Sequence, residues 1–164
     1  MPTHLKRKSP VAKKTRICNY CGCKIEPGTA YWRDTLVYDG TVYDWITHKE
    51  CMTASNKLCM YDDCDDNGLG PDYFSESIDS YVDCYFLDEK TDDLPEEVRS
   101  LDLLGRVKLI LATWDRPDIA LQRKKVYLNE LKMMASYSRD KEKLKKRIAD
   151  LETEISELEK EIVL

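Results

Sequence analysis

Histidine is scarce in this 164-residue chain, with two residues, as is phenylalanine, also with two, and no apolar run is long enough to cross a bilayer. A membrane span needs about 18–20 consecutive apolar residues. The N-terminus is charged and lacks the apolar h-region of a secretory signal, so an intracellular, cytoplasmic protein is expected. No Gly-x-Ser-x-Gly, phosphate loop or dinucleotide fingerprint occurs. With so few histidines, the nucleophile–base pairs of most hydrolases lack their parts. Charge is plentiful, at 35% of residues, and there are seven cysteines. This length suits one modest domain or a small module with appendages.

The charge is placed in blocks. Residues 1–16 hold six bases and no acid: Lys6, Arg7, Lys8, Lys13, Lys14 and Arg16. With Pro2, Ser9 and Pro10 among them there is little to bury, so a disordered basic arm is expected, its cations available to phosphates or simply solvated. Residues 59–103 hold two bases against fifteen acids, and residues 104–150 thirteen bases against six acids.

The strongest motif is Cys18-x2-Cys21 followed by His48-x2-Cys51. Four N/S ligands in two closely spaced pairs suit one structural Zn2+, each pair being presented by a single turn. Gly22 supplies the backbone freedom such a turn needs, and His48-x2-Cys51 suits a helix start. Between the pairs, Thr29–Arg33, Leu36–Tyr38 and Thr41–Tyr43 read as strands, joined at Asp39-Gly40 by a two-residue hairpin turn. A disulfide pair or scattered core thiols are the competing readings, the first disfavoured in a reducing compartment. Cys59, Cys64 and Cys84 with Cys23 are candidates for a second metal site, set against ordinary thiols.

The run Cys18-Asn-Tyr-Cys21, Ile25, Gly28, Asp39-Gly40, Trp45, His48, Cys51 resembles a treble-clef finger over about residues 16–58. It is similar to the poly(ADP-ribose) polymerase-type zinc finger and to small bacterial and phage zinc-finger proteins with a Tyr-Asp-Gly turn before the His-x-x-Cys pair. The resemblance implies the four metal ligands and DNA binding, in a bacterial or phage-infected host or, for a eukaryotic protein, the nucleus. Tyr31, Trp32, Tyr38, Tyr43 and Trp45 would then either stack on bases or cover the hairpin as its small core.

Asp63-Cys-Asp-Asp-Asn-Gly68 imitates the start of a calcium loop, but Pro71 and Phe74 occupy its ninth and twelfth positions. A helix is predicted after Gly70-Pro71, with Phe74, Ile78, Tyr81, Val82, Tyr85 and Phe86 as its apolar stripe. Its other face carries Glu76, Asp79 and Asp83, either a phosphate-mimicking interaction face or a solvated one. Leu94-Pro95-Glu96-Glu97 opens a helix predicted to run to Trp114, and Pro117 ends it. From Asp118 onward one continuous helix is expected. Leu144, Ile148, Leu151, Ile155, Leu158 and Ile162 form heptads at its end. A parallel pair would set Glu154 against Glu159, so antiparallel pairing is expected, between chains, with a foreign helix, or back onto the helix at 95–114.

The domain plan is a basic arm (1–16), a finger (17–60), an acidic loop with helices packed on the finger (61–115) and a long helix (116–164). The expected class is α+β, mainly α. The expected function is non-enzymatic: a zinc-finger protein that binds a macromolecule. A protein partner, or a second copy through the C-terminal helix, stands ahead of DNA bound by the finger and arm. No membrane and no small-molecule substrate are expected.

Overall fold

The computed structural model describes residues 2–62, 64, 68–88, 91–137 and 141–163. Helix accounts for 54% of the chain and strand for 20%, so the class is α+β with helix dominant. The chain divides into two units, residues 1–111 and 112–164.

The first unit is built on a three-stranded antiparallel sheet in the order β1 (Thr3–Lys8), β4 (Tyr31–Tyr38), β5 (Thr41–His48). Asp39 and Gly40 both take the left-handed conformation, φ 48° and 72°, as a two-residue hairpin turn requires. The two strands it joins stay in register from Tyr38–Thr41 down to Tyr31–His48. A second, two-residue ladder pairs β2 (Arg16–Ile17) with β3 (Lys24–Ile25) and presents the Cys18–Cys21 turn. Gly22 sits there at φ 68°.

The basic arm is not a disordered tail. Residues 3–8 pair with β4, and Val11 bridges to Ala30. The register shifts between His4 and Lys6, leaving Leu5 as an extra residue. Side chains three apart on a strand normally face opposite ways. The bulge brings His4 and Arg7 to the same face, opposite Leu36 and Asp34. Buried Asp34 draws both to it, which is why so polar a strand is held.

Helix α1 (Lys49–Lys57) begins directly at His48. It ends with Cys59 at φ 51°, Cys59 N–H on Asn56 O and Met60 N–H on Ser55 O, a Schellman closure that buries Met60. Helix α2 (Pro71–Phe86) follows, and Phe74, Ile78 and Val82 on its stripe are fully buried. Burying each such side chain contributes roughly 1.5–3 kcal/mol. Phe74 stacks on Tyr20 of the Cys18–Cys21 turn, 4.8 Å between centroids and 8° between planes, so α2 packs on that turn.

The helix predicted from Pro95 to Trp114 is two. Helix α3 (Glu96–Arg99) stops after one turn, and α4 (Leu103–Thr113) starts afresh with Asp102 capping it, Oδ1 accepting the Gly105 N–H at 2.7 Å. A Cβ on Gly105 would lie 3.1 Å from that same oxygen, so glycine leaves room for the cap.

In the second unit the expected continuous helix is also two, α5 (Pro117–Tyr137) and α6 (Lys141–Val163). They pack antiparallel, with Leu131, Leu151 and Ile155 as the core and Leu121, Leu128, Leu144 and Ile148 around it. Lys124–Glu154, Lys125–Glu159 at 2.7 Å and Lys132–Glu152 at 2.7 Å border the seam. The antiparallel sense follows the charge argument, but the heptads pack within this chain, on α5. The sequence left two other partners open, a helix of another chain and the helix at 95–114. Leu158 is half-buried and Ile162 exposed, so the stripe tapers toward its end. Among the described residues no helix is long and apolar enough to cross a membrane.

Candidate metal centre

Cys18, Cys21, His48 and Cys51 are all buried, and their ligand atoms lie within 4.8 Å of one another. His48 Nδ1 is 3.4 Å from Cys21 Sγ and 3.9 Å from Cys51 Sγ. A tetrahedron with metal–sulfur bonds of about 2.3 Å and metal–nitrogen bonds of about 2.0 Å has edges of roughly 3.5–3.8 Å. The group is thus compatible with one metal ion.

Local structure aims each ligand. Cys18 N–H bonds to Cys23 O and Gly22 N–H to Cys18 O, both at 3.0 Å, closing the first turn. Asn19 clamps that turn to β5: its N–H donates to Ile46 O at 2.7 Å and its Oδ1 accepts Ile46 N–H at 2.6 Å. His48 ends β5, and Cys51 follows one helical turn later on α1. His48 Nε2 lies 3.2 Å from Lys24 O. A carbonyl only accepts, so Nε2 carries the hydrogen and Nδ1 turns its lone pair toward the thiols, the tautomer a metal ligand needs. The His48 backbone N–H also donates to Cys18 Sγ at 3.4 Å.

The cluster's protonation fits a cation. Hydrogen bonds from Cys21 and Cys51 drive the Cys18 thiol far below its ordinary range. Cys21 is pushed up to about 12, first by its bond to Cys18, and Cys51 is raised by bonds to Cys18 and Cys21 and by burial. The thiols thus differ in how readily they ionise, and a divalent cation bound by all three would release their remaining protons.

A second cluster lies nearby and was not legible beforehand. Asp34, 3% exposed, accepts from Arg7 Nε at 2.6 Å, Arg7 Nη2 at 3.1 Å and His4 Nε2 at 2.8 Å. Asp34 holds the Arg7 guanidinium above its ordinary pKa through that hydrogen bond. Arg7 and Lys49 both lie over the Trp32 ring, 5.6 and 5.2 Å from its centroid. Tyr20 O and Tyr61 O are 2.6 Å apart, and burial with that bond raises the Tyr20 phenol. His4, Arg7, Asp34, Tyr20 and Tyr61 border a cavity of about 340 Å³. Period-2 reading of β4 and β5 would have grouped Asp34, Leu36, Tyr43 and Trp45, but nothing in the sequence joins His4 and Arg7 to them.

The remaining candidates are scattered. Of the basic arm, Lys6, Lys8, Lys13 and Lys14 are exposed, Arg16 is half-buried in β2, and Arg7 is committed to Asp34. Asp79 is not part of a free acidic face: Arg106 of α4 bonds it at 2.5 Å, leaving Glu76 and Asp83 exposed. Cys23, Cys59, Cys64 and Cys84 do not gather into a second metal site among the described residues. Cys23 points to Asp102, Cys59 serves the α1 terminus, Cys64 bonds Tyr61 O and Cys84 is exposed. The calcium-like loop lies largely outside the described residues. Of the aromatics, Tyr31 is buried, Trp32, Tyr43 and Trp45 are half-buried and Tyr38 is exposed. No protein-family model matches the chain, and no curated protein or solved structure matches it either.

Proposed function

We propose that this chain is a non-enzymatic protein with a treble-clef-type structural zinc finger, and that it works by holding a protein partner. Zinc is the ion that three thiolates and one imidazole in a tetrahedral group select. Four protein ligands fill its shell, so no coordination position is left for a substrate or an activated water. The sequence resemblance to treble-clef fingers over residues 16–58 supports the same reading.

One observation carries the protein partner. On α5 the residues Val126 (38% exposed), Tyr127 (42%), Met133 (70%) and Met134 (58%) stand outside the α6 seam. Val126 and Met133 are one heptad apart, as are Tyr127 and Met134, so they form two short apolar rows flanking exposed Glu130, together a second, interrupted stripe on a helix whose first stripe is already used. A methionine-rich exposed stripe suits an amphipathic helix of another protein.

The experiment is site-specific photo-crosslinking in cells from Met133, with Lys146 on α6 as the control position. One foreign protein joined at Met133 and not at Lys146 supports the reading. Joining only to a second copy makes the chain a homo-oligomer, and no adduct overturns the stripe as an interface.

DNA binding is the alternative, favoured by the resemblance and by exposed Lys6, Lys8, Lys13 and Lys14. Its test is binding to nicked, duplex and single-stranded DNA across a salt series. A steep salt slope lost on replacing those four lysines would favour it.

A further inference from the structure

The cavity over the sheet has no role in the metal site or in the α5 stripe. Its volume of about 340 Å³ falls within the roughly 300–1,000 Å³ of small-ligand pockets and far exceeds ordinary packing defects. Tyr43 and Trp45 of β5 and Leu36 of β4 form its sheet side, and Tyr20, Met52 and Tyr61 line it from the other elements.

The polar end is more specific than the walls. Asp34 is buried with both oxygens occupied, so its charge is balanced and it works as an anchor for two other groups. Arg7 spends Nε and one hydrogen of Nη2 on it and keeps Nη1. His4 spends Nε2, which must carry the hydrogen toward a carboxylate, and in the neutral ring that leaves Nδ1 as an acceptor. The cavity is therefore bordered by a donor, Arg7 Nη1, and, while the imidazole is neutral, by an acceptor, His4 Nδ1, with Tyr43 and Trp45 also in its lining. Tyr61 O–H lies 3.4 Å from Met52 Sδ and Tyr20 O–H can turn to Tyr61, so those hydroxyls are satisfied within the wall.

Charge balance at this end favours a neutral ligand. Arg7 is the lysine-or-arginine cation among the lining residues, and it is already paired with Asp34. A phosphate would gain little from a cation so neutralised, and an uncharged ring gives up nothing.

We propose that this cavity binds an uncharged planar heteroaromatic ring of nucleobase or nucleoside size, stacked on the Tyr43–Trp45 side and read at its edge by Arg7 Nη1 and His4 Nδ1. This site is independent of the α5 stripe, and each can fail without the other.

The test uses the full-length protein carrying one metal ion per chain, with saturation-transfer NMR and calorimetry. The probes are adenosine, guanosine, cytidine and uridine, their 5′-monophosphates and a short mixed single-stranded oligonucleotide. The expected result is saturable binding of at least one nucleoside, weaker for its monophosphate. Leu36→Trp, which fills the cavity, and Tyr43→Ala, which removes a wall, should each weaken binding roughly tenfold or more, the scale of one lost base–aromatic stack. Circular dichroism and metal content check that each variant is folded, and Tyr43→Ala carries the test should Leu36→Trp not fold. No saturable binding of any nucleoside in the millimolar range overturns the proposal, as does binding that both folded variants retain. Tighter binding of the oligonucleotide than of every nucleoside also overturns it, in favour of a strand.

Discussion

Arg7 grips Asp34 at two points, with Nε at 2.6 Å and Nη2 at 3.1 Å, across a strand pair whose partners are 27 positions apart in sequence. The carboxylate is buried and the guanidinium half-exposed. Removing the cation strands a buried charge, and removing both charges does not. Arg7→Ala should therefore cost about 2 kcal/mol in urea unfolding. Adding Asp34→Leu to it should recover part of that loss. A double variant less stable than Arg7→Ala alone would show that Asp34 is held mainly by other groups.

Metal removal should act on the first unit. Metal binding contributes about 10–16 kcal/mol to folding in small zinc modules. Chelation, Cys21→Ser or His48→Ala should abolish protease resistance over residues 17–58. Metal analysis of the intact protein should give one ion per chain, and cobalt substitution should yield the visible spectrum of a tetrahedral thiolate site. A protease-resistant finger in either variant would remove the ligand assignment.

Of this first unit, the sequence disclosed the parts governed by short-range chemistry. The two ligand pairs, the Asp39-Gly40 turn and the Pro71 helix start each depend on a few adjacent residues. Strand β1 escaped because its attraction comes from Asp34, far along the chain, and because a bulge at Leu5 breaks the alternation that would mark a strand. The break at Asp102 escaped because Leu101, Leu104 and Val107 keep helical spacing across it. The terminal stripe was legible as a stripe, but apolar periodicity does not distinguish a partner helix of the same chain from one of another.

Within the terminal hairpin, burial should grade the effect of truncation. Leu151 is 1% exposed and Leu151→Ala should cost about 2–4 kcal/mol. Ile162 is 43% exposed, and Ile162→Ala should stay within about 0.5 kcal/mol. Thermal unfolding of the two variants by circular dichroism compares them, and equal losses would mean that Ile162 is covered by something in solution.

The same hairpin should weaken in acid. Lys124 holds the Glu154 carboxyl below its usual range through their hydrogen bond. A carboxylate with a depressed folded-state pKa adds stability above its unfolded pKa, near 4.3, and loses it as pH falls through the folded value. Melting temperature should thus decline below about pH 4.5, and less so in Glu154→Gln. Identical declines in both would assign the acid sensitivity elsewhere.

Cys59 occupies a left-handed position at the end of α1 that favours glycine. Cys59→Gly should stabilise the first unit by up to about 1 kcal/mol, measured by urea midpoint at full metal occupancy. Destabilisation would give the Cys59 side chain a role that its exposure does not suggest.

The placement of β1 also sets an order of events during synthesis. Its residues leave the ribosome before those of β4, with which they pair and whose residues 33–37 emerge some thirty positions later. The β4–β5 hairpin closes locally through two residues and needs no such wait. Strand β1 therefore waits for the hairpin before it can be placed, and until it docks Asp34 lacks both His4 and Arg7. A nascent chain stalled before β4 emerges would hold a free basic segment with no cavity behind it. Only a chain extended past Gly70 can assemble the whole cavity lining, from His4 and Arg7 through Trp45 to Leu69 and Gly70.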